Sequence, residues 1–128
     1  MNHVDLPVTA AAGGLARAAL DGWLSARVGE AMGACARLAA SELVTNAVRH
    51  GGLDPGETIQ LSYLTTEEMV RIVVEQRSSA AGARIVPADE RGVNGGFGLT
   101  IVNGCSSRWG VDAGPPGRVW FELDHEPP

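Results

Sequence analysis

A chain of 128 residues has the size of one domain and is long enough to bury a real core. Its 45% hydrophobic content excludes a disordered chain, and its formal charge of −5, with the arginines scattered rather than clustered, excludes broad electrostatic binding to nucleic acid. No apolar run approaches the roughly 20 residues that cross a bilayer, and Met1–Asp5 lacks the basic start and apolar block of a signal peptide.

Val4 to Thr9 reads as a short strand that Pro7 confines to a sheet edge. Ala10 to Arg27, rich in Ala, Leu and Arg, reads as a helix. Gly13 and Gly14 weaken its start, and Trp23 and Leu24 anchor its end in the core. After a turn at Gly29, a second helix runs from about Glu30 through His50, and Gly51-Gly52 stops it. Two alternating strands follow, Thr58 to Leu64 and Met69 to Gln76, joined by a short hairpin connection at Thr65–Glu68. In the second of these Val70, Ile72, Val74 and Gln76 share one face, while Arg71, Val73 and Glu75 share the other.

Residues 77–95 show no periodicity, and so long a stretch within a compact domain is either a functional lid or disordered. A short helix is predicted from Phe97 to about Cys105, then a closing pair of strands, Arg108–Asp112 and Arg118–Leu123, with a frayed tail at 124–128. Cys35 and Cys105 form no CxxC or Cys/His cluster. Two reduced thiols in a cytoplasmic protein is the simplest account, with a disulfide between them left open. This order of elements predicts one α+β domain over 1–128, a two-layer sandwich with helices on one face of a mixed, mostly antiparallel sheet.

The second helix carries the stretch on which the chemistry turns. Advancing each residue of Ser41–Gly52 by 100° puts Leu43, Val44, Ala47 and Val48 on one arc and Glu42, Thr45, Asn46 and Arg49 on the other. Glu42 and Asn46 stand one turn apart, a carboxylate and a carboxamide on one face. Alone, that face is an ordinary wet one. Some fifty residues on, Gly95, Gly96 and Gly98 precede an apolar helix and free its first N–H groups, which favour a bound phosphate. The run ends in neither a P-loop Gly-Lys-Ser/Thr nor a dinucleotide fingerprint. Together the two stretches make a consistent set. A phosphate chain at the glycines brings charge that Mg²⁺ offsets, the Asn46 oxygen serves as its protein ligand, and Glu42 accepts a proton from an attacking hydroxyl or water.

Ser-Glu-Leu-Val-Thr-Asn-Ala-Val-Arg-His-Gly, residues 41–51, resembles the N box of the GHKL ATP-binding superfamily, which includes gyrase, Hsp90, histidine kinases and MutL. Gly96-Phe97-Gly98-Leu99-Thr100-Ile101-Val102 resembles the glycine box that closes its ATP lid. Arg108-Trp109-Gly110-Val111 followed by Val119-Trp120-Phe121-Glu122-Leu123 is similar to the short anti-sigma-factor serine/threonine kinase branch of actinobacteria. The resemblance extends from about Leu15 to Leu123. It implies a Bergerat-type α/β sandwich binding ATP and Mg²⁺, with 77–95 as the ATP lid. Glu42 would be the general base and Asn46 the Mg²⁺ ligand, and Gly96, Phe97, Gly98 and Leu99 would lie at the nucleotide. It further implies that the protein sequesters a sigma factor and phosphorylates a STAS-type anti-anti-sigma partner. Family members commonly form homodimers, and neither direct nucleic-acid binding nor a membrane is implied.

The match departs from the family at the base-reading end. Where the family carries an aspartate after the hydrophobic strand this chain has Gln76, and where a threonine precedes the last strand it has Arg118. The glycines that often follow the aspartate are replaced by Arg77-Ser78-Ser79-Ala80. Losing a charge-assisted hydrogen bond there costs about 1.5–3 kcal/mol, roughly tenfold to a hundredfold in affinity. Two readings follow: an ATP-dependent kinase with a weakened base pocket, or a partner-binding regulator that no longer catalyses. A histidine kinase is disfavoured, because no helical pair carries a phospho-acceptor histidine.

Overall fold

The computed structural model describes residues 2–77 and 98–125, Leu99 by its backbone alone. Its elements in chain order are β1 (Asn2–Pro7), α1 (Ala12–Ser25), α2 (Glu30–His50), β2 (Thr58–Thr65), β3 (Met69–Gln76), α3 (Gly98–Cys105), β4 (Arg108–Asp112) and β5 (Gly117–Asp124). The strands form a five-stranded sheet in the order β1-β2-β3-β5-β4. Among the described residues every pairing is antiparallel, so the sheet there is more uniform than the mixed, mostly antiparallel one predicted. Strand β1 sits at an edge, the position where a sheet tolerates a proline such as Pro7.

Alternation along the strands sends one set of side chains toward the helices. Ile59 and Leu61 of β2, Val70 and Ile72 of β3, and Phe121 of β5 are fully buried. They meet Ala16, Leu20 and Leu24 of α1 and Ala36, Ala39 and Val44 of α2 in one core. Each buried Leu, Ile or Phe contributes roughly 1.5–3 kcal/mol relative to exposure. Alanines dominate the buried face of α2, which lets that helix lie close on the sheet and on α1. Helices α1 and α2 run antiparallel: Gly13 abuts Ser41 and Thr45, and Asp21 pairs with Arg37 at 3.4 Å. Trp23 stays at the rim rather than in the core, edge-on to Tyr63 with centroids 4.8 Å apart.

Two expectations are corrected. Cys35 and Cys105 are not two free thiols; they form a disulfide joining α2 to α3 across a sequence separation of 70. Closing a loop of that length stabilises the fold by roughly 4 kcal/mol in the chain-entropy view. The end of the chain is also firmer than a tail frayed over 124–128. Asp124 belongs to β5, and the His125 N–H donates to the Glu68 carbonyl at 2.9 Å; residues 126–128 lie outside the described residues.

The sheet face turned away from the helices carries interleaved charges. Arg118 holds Glu75 at 2.7 Å, and Arg71 and Arg108 both hold Glu122, at 2.7 and 3.0 Å. The Arg71 guanidinium also lies over the Trp120 ring, 4.6 Å from its centroid. Among the described residues no helix is long and apolar enough to cross a membrane.

Candidate functional site

The middle of α2 has the two arcs expected of it. Leu43, Val44 and Ala47 are buried, whereas Glu42, Thr45 and Asn46 are half-buried and Arg49 and His50 exposed. Half-burial separates this face from an ordinary wet one, and its neighbours produce it. On one flank α1 approaches so closely at Gly13 that a Cβ there would stand 2.7 Å from Thr45 Oγ1 and 3.2 Å from Ser41 Oγ. Gly13 looks in sequence like a weak helix start; its use is this close approach, which seats α1 against the turn that carries Glu42 and Asn46.

On the other flank stands α3. Helix α2 ends at Gly51 beside Gln76, the last residue of β3, while Ser107, just after α3, donates its N–H to the Glu122 carbonyl near the opposite end of the sheet. The disulfide sets Cys105 against Cys35, far from that Gln76 end. With Val102 fully buried in the core, α3 must therefore climb alongside α2 in the antiparallel sense. Gly98 is seven residues before Cys105 and Glu42 is seven after Cys35, each a rise of about 10 Å. The first turn of α3 is thereby level with Glu42. Its N-terminus, the positive end of the helix dipole, comes level with the polar arc of α2, an arrangement that favours an anion between the two helices.

Among the described residues, neither Glu42 nor Asn46 makes a side-chain hydrogen bond or ion pair. Their oxygens are hard donors of the kind Mg²⁺ selects. They are too few to hold it by themselves, and no group of three or more His, Cys, Asp or Glu among the described residues is placed to bind a metal. The donor set fits a cation that arrives with phosphate oxygens.

The base-reading end divides differently from the expectation. Gln76 is 9% exposed and faces the helices, while Glu75 faces away and pairs with Arg118, as strand alternation requires. Arg118, however, cannot share a pocket with Gln76. It sits across from Glu75 on the open face of the sheet and also reaches Asp112 at 3.4 Å. The residue directly across from Gln76 is Gly117, which is buried. The carboxamide of Gln76 lies over the α2 terminus, where a Cβ on Gly51 would stand 3.0 Å from Gln76 Oε1. Of the other predicted site residues, Gly98 and Leu99 begin α3, while Gly96, Phe97 and lid residues 78–95 lie outside the described residues.

A cleft of about 380 Å³ opens beside Asp5, Glu57, Glu75 and Arg77 and reaches Gln76 at its wall. Its three carboxylates against one guanidinium make it a poor seat for a phosphate chain.

Residues 6–119 match the model of the histidine kinase-like ATPase domain. Among solved structures, the RsbU and RsbW domains of Rv1364c from Mycobacterium tuberculosis superpose with a TM-score of 0.70 at 23% identity. That match covers 98% of this chain and 33% of the other, so this chain spans about a third of that protein, and the likeness at this identity is one of fold. Among curated proteins, none matches the sequence.

Proposed function

The chain belongs to the histidine kinase-like ATPase domain family, and from that premise we propose that it is an ATP- and Mg²⁺-dependent regulator of the anti-sigma-factor kinase type. In this reading it acts in the cytoplasm, withholds a sigma factor, and phosphorylates a serine or threonine on a STAS-type partner. The observation that carries the reading is the pair Glu42 and Asn46, half-buried one turn apart, unengaged among the described residues, and level with the N-terminus of α3.

Bound Mg-ATP supplies the transferable phosphoryl group and a cation that offsets its charge. The chain's own residues do the rest. The first N–H groups of α3 cradle phosphate oxygens, the Asn46 side-chain oxygen orients the cation, and the Glu42 carboxylate takes the proton of the attacking hydroxyl. Ala-lined packing of α2 against α1 and the sheet holds Glu42 and Asn46 on a rigid element. Glu42→Gln keeps the shape but removes the base. Nucleotide affinity is expected to stay within about twofold, while phosphotransfer to a STAS-type partner falls on the order of a hundredfold or more. Equal phosphotransfer by the variant and the parent rejects Glu42 as base.

A second reading draws on the other end of the pocket. Gln76 and Gly117 present no charged acceptor to a base, which favours a partner-binding regulator that holds nucleotide weakly or not at all. Calorimetry with millimolar Mg-ATP separates the two, since absence of any heat supports the second.

A further inference from the structure

We propose that the Cys35–Cys105 pair is a reversible thiol–disulfide site that sets how firmly α3 is held against the middle of α2, and through it the affinity for phosphate ligands. The coupling to nucleotide rests on the reading above; the effect on α3 does not.

The inference starts from how unequally the three helices are anchored. Helix α1 sinks Ala12, Ala16, Leu20 and Leu24 into the core, and α2 sinks Ala36, Ala39, Ala40 and Val44. Helix α3 has eight residues, too few to be stable alone, and among its described side chains only Val102 is fully buried. Asn103 and Gly104 are exposed, and Gly104 weakens the helix further. Its attachments to neighbouring elements include the Trp109 Nε1–H bond to Asn103 Oδ1 at 3.0 Å and the disulfide, while the Ser106 Oγ–H bond to the Val102 carbonyl at 2.6 Å closes its own last turn. The covalent bond is thus a large share of what ties this helix to its neighbour, whereas the rest of the fold has a core of its own.

Both cysteines are half-buried, so small thiols and disulfides can reach them. The oxidant is a low-molecular-weight disulfide. One cysteine thiolate attacks a sulfur of that disulfide and expels one small thiol; the second attacks the mixed disulfide and expels the other. The protein loses two electrons, the small disulfide gains them, and the two protons leave on the two small thiols. Reduction runs the same exchange backwards. With the bond open, the end of α3 at Cys105 is released from α2, and its N-terminus no longer keeps its level beside Glu42.

The test uses the full chain equilibrated in buffers of varied oxidised-to-reduced glutathione ratio, with the thiol state read by alkylation and mass. Hydrogen exchange is then followed by segment. On reduction the amides of 101–106 are expected to lose at least tenfold more protection than those of β2, β3 and β5, which fall together with the global stability that the disulfide adds. Cys35→Ser with Cys105→Ser should match the reduced parent and ignore the glutathione ratio. Mg-ATP affinity should fall severalfold on reduction. Equal protection of 101–106 in both states overturns the proposal, as does a loss on reduction that is no larger in 101–106 than in the sheet, which marks a general staple. A bond that does not exchange with glutathione also overturns it. Equal Mg-ATP affinity in both states overturns the coupling to the site. Absence of nucleotide binding in either state rejects the nucleotide reading, and hydrogen exchange still decides the effect on α3.

Discussion

The middle of α2 and its C-terminal end face the same side of the molecule and solve different problems. In the middle, Glu42 and Asn46 offer oxygens to a charged ligand opposite the N-terminus of α3. At the end, Gln76 and Gly117 form a neutral, buried corner against Gly51. In the proposed function the first region handles charge, so it needs unengaged donors at partial burial. The second, in the same proposal, handles the edge of a flat ring, so it needs shape and one or two matched hydrogen bonds. Separated along one rigid helix, the two can change independently, and here only the second differs from the pattern that the N box leads one to expect.

Breaking the middle should have the larger effect on binding. Asn46→Ala removes the oxygen proposed to orient the cation, and nucleotide affinity in Mg²⁺ is expected to drop about tenfold to a hundredfold, the worth of a charge-assisted contact. In the presence of a chelator, variant and parent should bind alike. Titrations that show the same Mg²⁺ dependence for both proteins would remove Asn46 from the metal site.

Gln76→Leu addresses the other end with nearly the same volume. A neutral hydrogen bond is worth roughly 0.5–1.5 kcal/mol, so affinity for ATP should fall about twofold to tenfold. The ratio of ATP to GTP affinity should shift, because a carboxamide can both donate and accept while Leu does neither. Mg²⁺ dependence should be untouched. If Gln76→Leu altered metal dependence and left the base ratio alone, the division between the two ends would collapse.

Much of this arrangement can be read from the residues in order. The 3.6-residue spacing over Glu30–His50 and the glycine stop define α2 to its observed ends, and the alternation over Met69–Gln76 separates Gln76 from Glu75 as found. Both signals are local, set by the periodicity of a helix or a strand. What could not be read depends on distant parts meeting. Cys35 and Cys105 are brought together only by α3 doubling back along α2. Gly13 looks like a defect in a helix until Thr45 is beside it. Arg118 aligns with a base-reading threonine when the sequence is matched by its apolar run, yet strand register puts Gly117 opposite Gln76. Counting from the buried Phe121 by twos would have flagged it, since neighbours on a strand cannot share a face.

The smallest expected effect belongs to neither end. Glu122 lies on the open face, toward the end of the sheet away from Gln76, with its side chain 13% exposed. Desolvation pushes its carboxyl up, but hydrogen bonds from Arg71 and Arg108 outweigh that and hold it below its ordinary value of 4.5. A depressed folded value means that the folded state prefers the charged form. The stability this gives is complete above about 4.5 and is lost as pH falls through the depressed value. In urea titrations the parent should therefore exceed Glu122→Gln by up to about 1 kcal/mol at neutral pH, a margin kept small by the solvent-exposed arginine partners. That margin should close in acid. Mg-nucleotide affinity should be equal in the two proteins, because neither the charge-handling turn nor the base corner touches this face. A gap that stays constant or widens as pH falls would mean that Glu122 stabilises the sheet by packing rather than by charge, and a change in nucleotide affinity would mean that the two faces of the sheet are coupled.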